Sequence, residues 1–435
     1  MRAYRLALFA CLVTLSQAVR LGGAEQKKAG LDKLEAMTLA TMLDKSYGEV
    51  KSSYYDPGFH GVDWDARYRQ FAAQIQNAPD MEQGFAMIES FLAGLNDSHT
   101  SFIPPARATN FDLGFRLGMV GNDCFVLRVR PGTDGAAKLQ AGDKVTRLDG
   151  FAVNRGDLPD LEYYLGVLAP RTSNQLEVIT SSGERKSVTV ITTVSPNRHL
   201  VNTMDQLVHL RKQMLDDRSH ARAVERGDVL IWRIPRFDLD LQDVSDAIGK
   251  ARQHETMILD LRGNPGGTLE SLQLVLGNLF DRDVKIGVRI GRHERKPIVA
   301  RHDWHPFMGR LIVLVDSESA SDTELLARVV QLEHRGTVIG DRTAGMAMEA
   351  KIYPEALGYG QLYTFAVEVT DADLIMSDGK SLEKTGVMPD EILLPSTADL
   401  AAGRDPVLAR AASEAGLSLD AAEAGKTFPF EWAPL

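Results

Sequence analysis

Cysteine is nearly absent: the 435 residues hold two, Cys11 and Cys124. Cys11 lies in an apolar N-terminal run, so a processed chain would keep Cys124 alone and no internal disulfide could staple it. Stability must then come from a packed core. Basic charge is also in short supply. Lys and Arg number 49 against 59 Asp and Glu, a net charge of −10, which argues against nucleic acid as a partner and offers no basic face to an anionic membrane. The apolar run Leu6–Leu15 is too short to span a bilayer. With Arg2 and Arg5 before it and small residues after it, the run reads as a secretory signal peptide over residues 1–24, cut after Ala18 or Ala24. A secreted or periplasmic location follows as an expectation. His302-Asp-Trp-His305 supplies too few ligands for a zinc site, and no metal or cofactor is expected. Internal repeats and low-complexity segments are missing as well.

What is present begins with residues 311–346, LIVLVDSESASDTELLARVVQLEHRGTVIGDRTAGM. They read as a buried strand (Leu311–Val315), a small-residue loop and a helix from about Asp322, then a second strand at Val338 and Ile339. Ser321 stands at the mouth of that helix, where backbone N–H groups lack intrahelical partners and the helix dipole favours negative charge. A nucleophilic serine and a tetrahedral oxyanion are well tolerated there. The plain alternative is that Ser321 caps the helix, with Glu324 three residues on as its capping-box partner. Ser317 and Ser319 are rival nucleophiles in the same loop, farther from the helix start.

Two other segments bear on the choice. Met257–Phe280 is an apolar strand, then Arg262-Gly-Asn-Pro-Gly-Gly267, then an amphipathic helix. The turn has no Gly-Lys-Ser/Thr ending and no Gly-x-Gly-x-x-Gly spacing, which speaks against phosphate. Gly266 and Gly267 would instead let a substrate carbonyl approach backbone N–H groups with no Cβ in the way. Leu92–Pro105 sets His99 beside Ser98 at a helix end, among hydroxyl residues able to hold an imidazole in one tautomer.

In this order the motifs resemble those of the C-terminal processing (tail-specific) serine peptidases, a family that includes the tricorn-type proteases. The marks are Gly61-Val-Asp-Trp64, Leu95-Asn-Asp-Ser-His-Thr100, Asp260-Leu-Arg-Gly-Asn-Pro-Gly-Gly267, Ser319-Ala-Ser-Asp-Thr-Glu324, Gly340-Asp-Arg-Thr-Ala-Gly345 and Gly386-Val-Met-Pro-Asp390. The resemblance implies that Ser321 is the nucleophile and that amides at Gly266, Gly267 and Asp322 form the oxyanion hole. Many members activate the serine with a lysine directly after the last glycine of the Gly-x-x-Thr-x-Gly motif, helped by a glutamine four residues later. Here those positions are Met346 and Ala350. Lys351 is one residue off, which in a strand turns it to the opposite face. The tricorn-type arrangement is complete instead. His99 would be the base, and Glu383, with help from Ser98, would orient its ring and stabilise the imidazolium. An unperturbed imidazole can act as a base near neutral pH, whereas a lysine must be depressed by several units. The plain reading of Glu383 is a solvated carboxylate beside Lys380 and Lys384.

Residues 111–196 resemble a PDZ domain, with strands at Leu113–Leu117 and Phe125–Val129, a short helix at Ala136–Leu139 and a longer one around Leu158–Leu168. Such domains add a peptide as an extra strand and hold its terminal carboxylate in a nest of N–H groups. Gly114, Phe115 and Arg116 would form that nest. Residues 25–110 read as a helical region, with Met37, Leu39, Met42 and Tyr47 on the buried face of its first helix. Residues 197–435 read as an α/β core that opens with helix, strand and helix at Met204–His209, Val229–Ile234 and Leu241–Gln253. The family implies a crotonase-like ββα core there.

The expected whole is an α/β serine endopeptidase with an N-terminal helical region and an inserted PDZ domain. It would cut unfolded or C-terminally exposed polypeptides through an acyl-enzyme, and a homo-oligomer is compatible with the sequence. Two other readings stand beside it: a catalytically inactive PDZ scaffold that binds peptides, and a binder of small apolar ligands.

Overall fold

The computed structural model describes residues 30–197, 222–358 and 362–432. The expected signal peptide and the helix expected at Met204–His209 lie outside them. Helices α1 (Lys33–Ser53), α2 (Trp64–Ile75) and α3 (Met81–Leu92) each follow an aspartate, Asp32, Asp63 or Asp80, whose carboxylate accepts an N–H of the first turn. Those donors have no partner inside the helix, so the caps decide where each one starts. On α1 the buried stripe is Leu39, Met42, Leu43, Ser46 and Val50, with Tyr47 half-buried, but Met37 is 58% exposed. Two residues before Leu39 is about 200° around the helix, so Met37 belongs to the opposite face.

A short strand β1 (Ser101–Ile103) leads to β2 (Thr109–Asp112). The next stretch holds β3 (Phe115–Val120), β4 (Asp123–Val129), α4 (Asp134–Lys138), β5 (Lys144–Leu148), β6 (Phe151–Ala152), α5 (Leu158–Tyr163) with a π turn to Leu168, β7 (Ser173–Ile179) and β8 (Arg185–Ile191). Its strands form one antiparallel sheet in the order β3-β4-β5-β7-β8, with β6 on β5. The chain leaves through β9 (Thr193–Pro196), which pairs antiparallel with β2, so entry and exit lie side by side. Leu117, Val126, Val145, Leu161 and Leu176 fill the inner face of this module.

The remaining chain builds two sheets. The first uses β10 (Arg222–Arg226), β11 (Val229–Arg233), α6 (Leu241–Ala251), β12 (Thr256–Asp260) and α7 (Leu269–Gly277). After the hairpin β13 (Val284–Gly291) and β14 (Arg295–Ala300) come β15 (Arg310–Val315), α8 (Asp322–Leu332) and β16 (Gly336–Gly340). Then follow β17 (Met348–Leu357), β18 (Tyr363–Met376), β19 (Glu391–Ile392) and three closing helices, α9 (Thr397–Ala402), α10 (Pro406–Glu414) and α11 (Ala421–Ala424). The sheet order β10-β11-β12-β15-β16-β19 is parallel except for β10. Alternate residues serve two cores. Met257, Leu259, Leu311 and Val313 face the side of α6, α7 and α8, whereas Ile258, Ile312 and Leu314 face α10. Burial on both faces is why these strands read as unbroken apolar runs. The second sheet is antiparallel, β1-β18-β13-β14 with β17 also on β18, and it anchors the end of the N-terminal region through β1.

The C-terminal ends of β11 and β12 are tied to the closing helices by charge. Arg262 bonds both oxygens of fully buried Asp260 (2.8 and 2.9 Å) and both of Asp405 (2.8 and 2.7 Å), and Arg233 reaches Asp260 at 3.3 Å. Burial penalises the Asp260 charge, but Arg262 and Arg233 outweigh it and hold the carboxyl at about 2. A pKa depressed in the folded state stabilises the fold above the ordinary aspartate value and loses that contribution as pH falls towards 2. Arg262→Ala leaves Asp260 charged and buried, so unfolding at neutral pH should cost about 3–5 kcal/mol less, measured by urea titration.

Candidate active site

Ser321 immediately precedes α8 with φ 55° and ψ −123°. Positive φ at a residue with a Cβ is strained by about 1–3 kcal/mol, so the surroundings must hold it. They do so through the backbone. The Ser321 N–H donates to the Met346 carbonyl (2.8 Å) and to Glu324 Oε2 (3.1 Å). Glu324 is fully buried and also accepts from the N–H groups of Gly345 (2.8 Å) and Met346 (2.8 Å) and from Thr343 Oγ1 (2.5 Å). Part of the capping box is therefore present. The Glu324 N–H, however, goes to the Ser321 carbonyl at 2.8 Å.

The neighbouring serines are committed elsewhere. Ser319 is fully buried, donates to the Leu261 carbonyl (2.9 Å) and accepts the Asp316 N–H (3.0 Å). Ser317 donates to the Met119 carbonyl at 2.6 Å. Both hydroxyls tie the loop to its surroundings.

His99 follows a left-handed residue, Asn96 (φ 56°), and a buried aspartate, Asp97. Asp97 accepts the N–H of His99 (2.9 Å) and of Thr100 (2.7 Å) and the hydroxyl of Thr370 on β18 (2.9 Å). Burial works against its charge, yet these donors together lower its pKa. Asp97 thus pins the His99 backbone to the second sheet, a role that its place in the motif does not announce.

Ser98 Oγ lies 2.7 Å from His99 Nδ1 and donates to Glu383 Oε2 at 2.8 Å. Ser98 has one proton, and an ionised carboxylate can only accept. With that proton given to Glu383, a neutral His99 would donate from Nδ1 and carry its basic lone pair on Nε2. Glu383 is not a solvated loop carboxylate. Its side chain is 12% exposed, and burial raises its pKa against the opposing pull of Lys384 (Nζ 3.5 Å from Oε1) and Ser98. Glu383 Oε2 also accepts the Ala347 N–H at 3.2 Å. Ser321 and Glu383 are therefore bound to adjacent residues, Met346 and Ala347, and a single segment links the serine to the Glu383–Ser98–His99 chain.

The glycine turn meets Ser321 directly. Gly266 has φ +98°, and a Cβ on it would fall 2.5 Å from Ser321 Cβ; on Gly267 it would fall 2.0 Å from the Phe237 carbonyl oxygen. Their amides are already used, the Gly266 N–H by Asn264 Oδ1 (2.8 Å) and the Gly267 N–H by Asp322 Oδ2 (3.0 Å). Asp322 is buried, and desolvation pushes its pKa up to about 6. Lys351 is paired with Asp371 at 2.5 Å, and that bond raises its pKa, so it stays protonated.

In the module, Gly114 has φ +74° and its N–H is taken by Asp112 Oδ1 at 2.9 Å. Phe115 is buried opposite Val129. Arg116 lies 3.5 Å from Glu318 and over the ring of Phe430. Of the three, Arg116 meets the core through Glu318 and the C-terminal segment through Phe430. A cavity of about 280 Å³ in that seam is lined by Arg116, Met119, Leu394, Phe428 and Phe430, and by Ser317 and Glu318 of the loop that leads to Ser321.

A strained serine at a helix mouth, and a histidine joined through a hydroxyl to a largely buried carboxylate, are the groups that serine peptidase chemistry would need. Residues 228–393 match the model of peptidase family S41. The chain is 24% identical to the carboxyl-terminal-processing protease of Synechocystis over 370 residues, 81% of this chain and 80% of that protein. It is 24% identical over 389 residues to tricorn protease homolog 2 of Streptomyces coelicolor, and that match takes in 82% of this chain but only 30% of that protein. Among solved structures, mature CPAF superposes with a TM-score of 0.63 at 14% identity, covering 85% of this chain and 95% of that one, a likeness of fold. The S41 match and these relatives support a serine-type peptidase of the C-terminal processing kind. No helix among the described residues is long and apolar enough to cross a membrane.

Proposed function

We propose that the protein is a serine endopeptidase of unfolded or C-terminally exposed polypeptides, acting outside the cytoplasm through an acyl-enzyme. The observation that carries the reading is the hydrogen-bond chain Glu383–Ser98–His99, which supports His99 as the base through Nε2. His99 would take the Ser321 proton as Oγ attacks the scissile carbonyl and return it to the leaving amine. Glu383, acting through Ser98, would stabilise the imidazolium. The developing oxyanion would be received by amides at Gly266, Gly267 and Asp322. In this reading residues 111–196 are a PDZ domain whose Gly114, Phe115 and Arg116 meet a substrate C-terminus, inserted between the helical region and a crotonase-like core.

The test is digestion of a reduced, unfolded protein beside its folded form and a C-terminally amidated copy, with new termini read by mass spectrometry. The unfolded chain should be cut and the folded one spared, and amidation should slow the cut. Equal cleavage of the amidated copy would remove the C-terminal preference, and no cleavage by folded protein would favour the inactive scaffold. Ser98→Ala should lower kcat by about 10²–10⁴, because the ring loses its tautomer and its link to Glu383. Glu383→Gln should lose less, since the amide oxygen can still accept from Ser98. A wild-type rate in Ser98→Ala would return Ser98 to a structural role.

A further inference from the structure

The residue after the nucleophile has two groups at the same spot. Its N–H is one of the three amides assigned to the oxyanion hole, while its side chain occupies another, the Gly267 N–H, at 3.0 Å. With the Gly266 N–H bound by Asn264 Oδ1, both glycine donors of the hole are satisfied from within the protein. A carboxylate there also sets a negative charge beside the position where negative charge must develop.

We propose that Asp322 is a positioning residue that plugs the oxyanion hole, so that catalysis requires its carboxylate to let go of the Gly267 N–H. The proposal rests on Ser321 as the nucleophile. The plug sits on α8 at its first residue, where the helix dipole favours an anion. The charged groups that act on it are Glu270 of α7 and Glu349 of β17, and both oppose its ionisation. Glu349 is itself held by Arg289 at 2.8 Å. Ionised Asp322 grips the amide as a charge-assisted acceptor, and the protonated carboxyl grips it less. With the carboxyl at about 6, the plug is set at neutral pH and loosens below that value.

The experiment measures the rate at which a fluorophosphonate labels Ser321 between pH 5 and 8.5 in wild type, Asp322→Ala and Asp322→Asn, with Ser321→Ala as the blank. Melting curves check that each is folded. Expressing each variant's rate as a ratio to wild type removes the titration of His99, which all share. Asp322→Ala should label about tenfold faster than wild type at pH 8, and the ratio should fall towards one below pH 6. Asp322→Asn keeps an acceptor without the charge, so it should show a smaller gain with the same pH trend. It also carries the test if the alanine variant fails to fold. If wild type labels and neither variant gains, or the gain is flat across pH, the plug is overturned while the nucleophile stands. If none of the three folded proteins labels, the nucleophile reading has failed and the plug with it.

Discussion

Ser321→Ala and His99→Ala should each lower kcat by about 10⁴–10⁶ while leaving the melting temperature within a degree or two. A nucleophile and its base act as one unit, so removing either forfeits nearly the whole covalent route. The two side chains differ from their neighbours in what they hold. Ser319 and Ser317 donate to the carbonyls of Leu261 and Met119, and Asp97 pins the loop, so those substitutions would loosen the fold. Ser321 and His99 are themselves held through their backbones, which is why alanine at either should spare stability. Lys351→Ala is the control. Its side chain is exposed and its ammonium is paired with Asp371, so most activity should remain. Progress curves on one unfolded substrate, with a melt for each variant, decide the matter. Lost activity in folded Lys351→Ala, or a wild-type rate in His99→Ala, would sink the histidine base.

The parts of this site that could be read from the chain are those made by neighbours in sequence. The strand, small-residue loop and helix around Ser321 are local, and buried parallel strands such as Met257–Asp260 announce themselves as apolar runs. The turn at Gly266 and Gly267 is local too. The parts that could not be read are made by distance. Ser98 and Glu383 are 285 residues apart; the family resemblance named them together, but their hydrogen bond is seen only in the fold. The sheet of β1, β13, β14, β17 and β18 pairs residues such as Phe102 and Val367, and no local pattern predicts such a partner. The carboxylate of Asp322 is a third case. From sequence the residue counted for its N–H alone, because which amide its side chain meets depends on how the glycine turn crosses the helix mouth.

Glu324→Ala should be the most destabilising single change near the site, by about 3–5 kcal/mol. It strips one acceptor from four donors, the N–H groups of Ser321, Gly345 and Met346 and the Thr343 hydroxyl. Of these donors, among the described residues, Ser321 alone keeps a second acceptor, the Met346 carbonyl. Buried donors left without partners, rather than a lost contact, set the size of the effect. Activity should fall with stability, since Glu324 helps to hold Ser321 at positive φ. That separates this variant from Ser321→Ala, which should stay stable. The same carboxyl makes a prediction about pH. Burial pushes it from 4.5 up to about 7, against the pull of its four donors. A carboxyl raised in the folded state contributes stability below the unfolded value near 4.5 and loses it as pH rises through 7. Wild type should therefore lose about 3 kcal/mol relative to Glu324→Gln across that window, at about 1.4 kcal/mol per pH unit. Paired urea titrations at pH 4.5, 6 and 7.5 measure the difference. A gap that does not change with pH would mean that the four donors keep Glu324 ionised throughout.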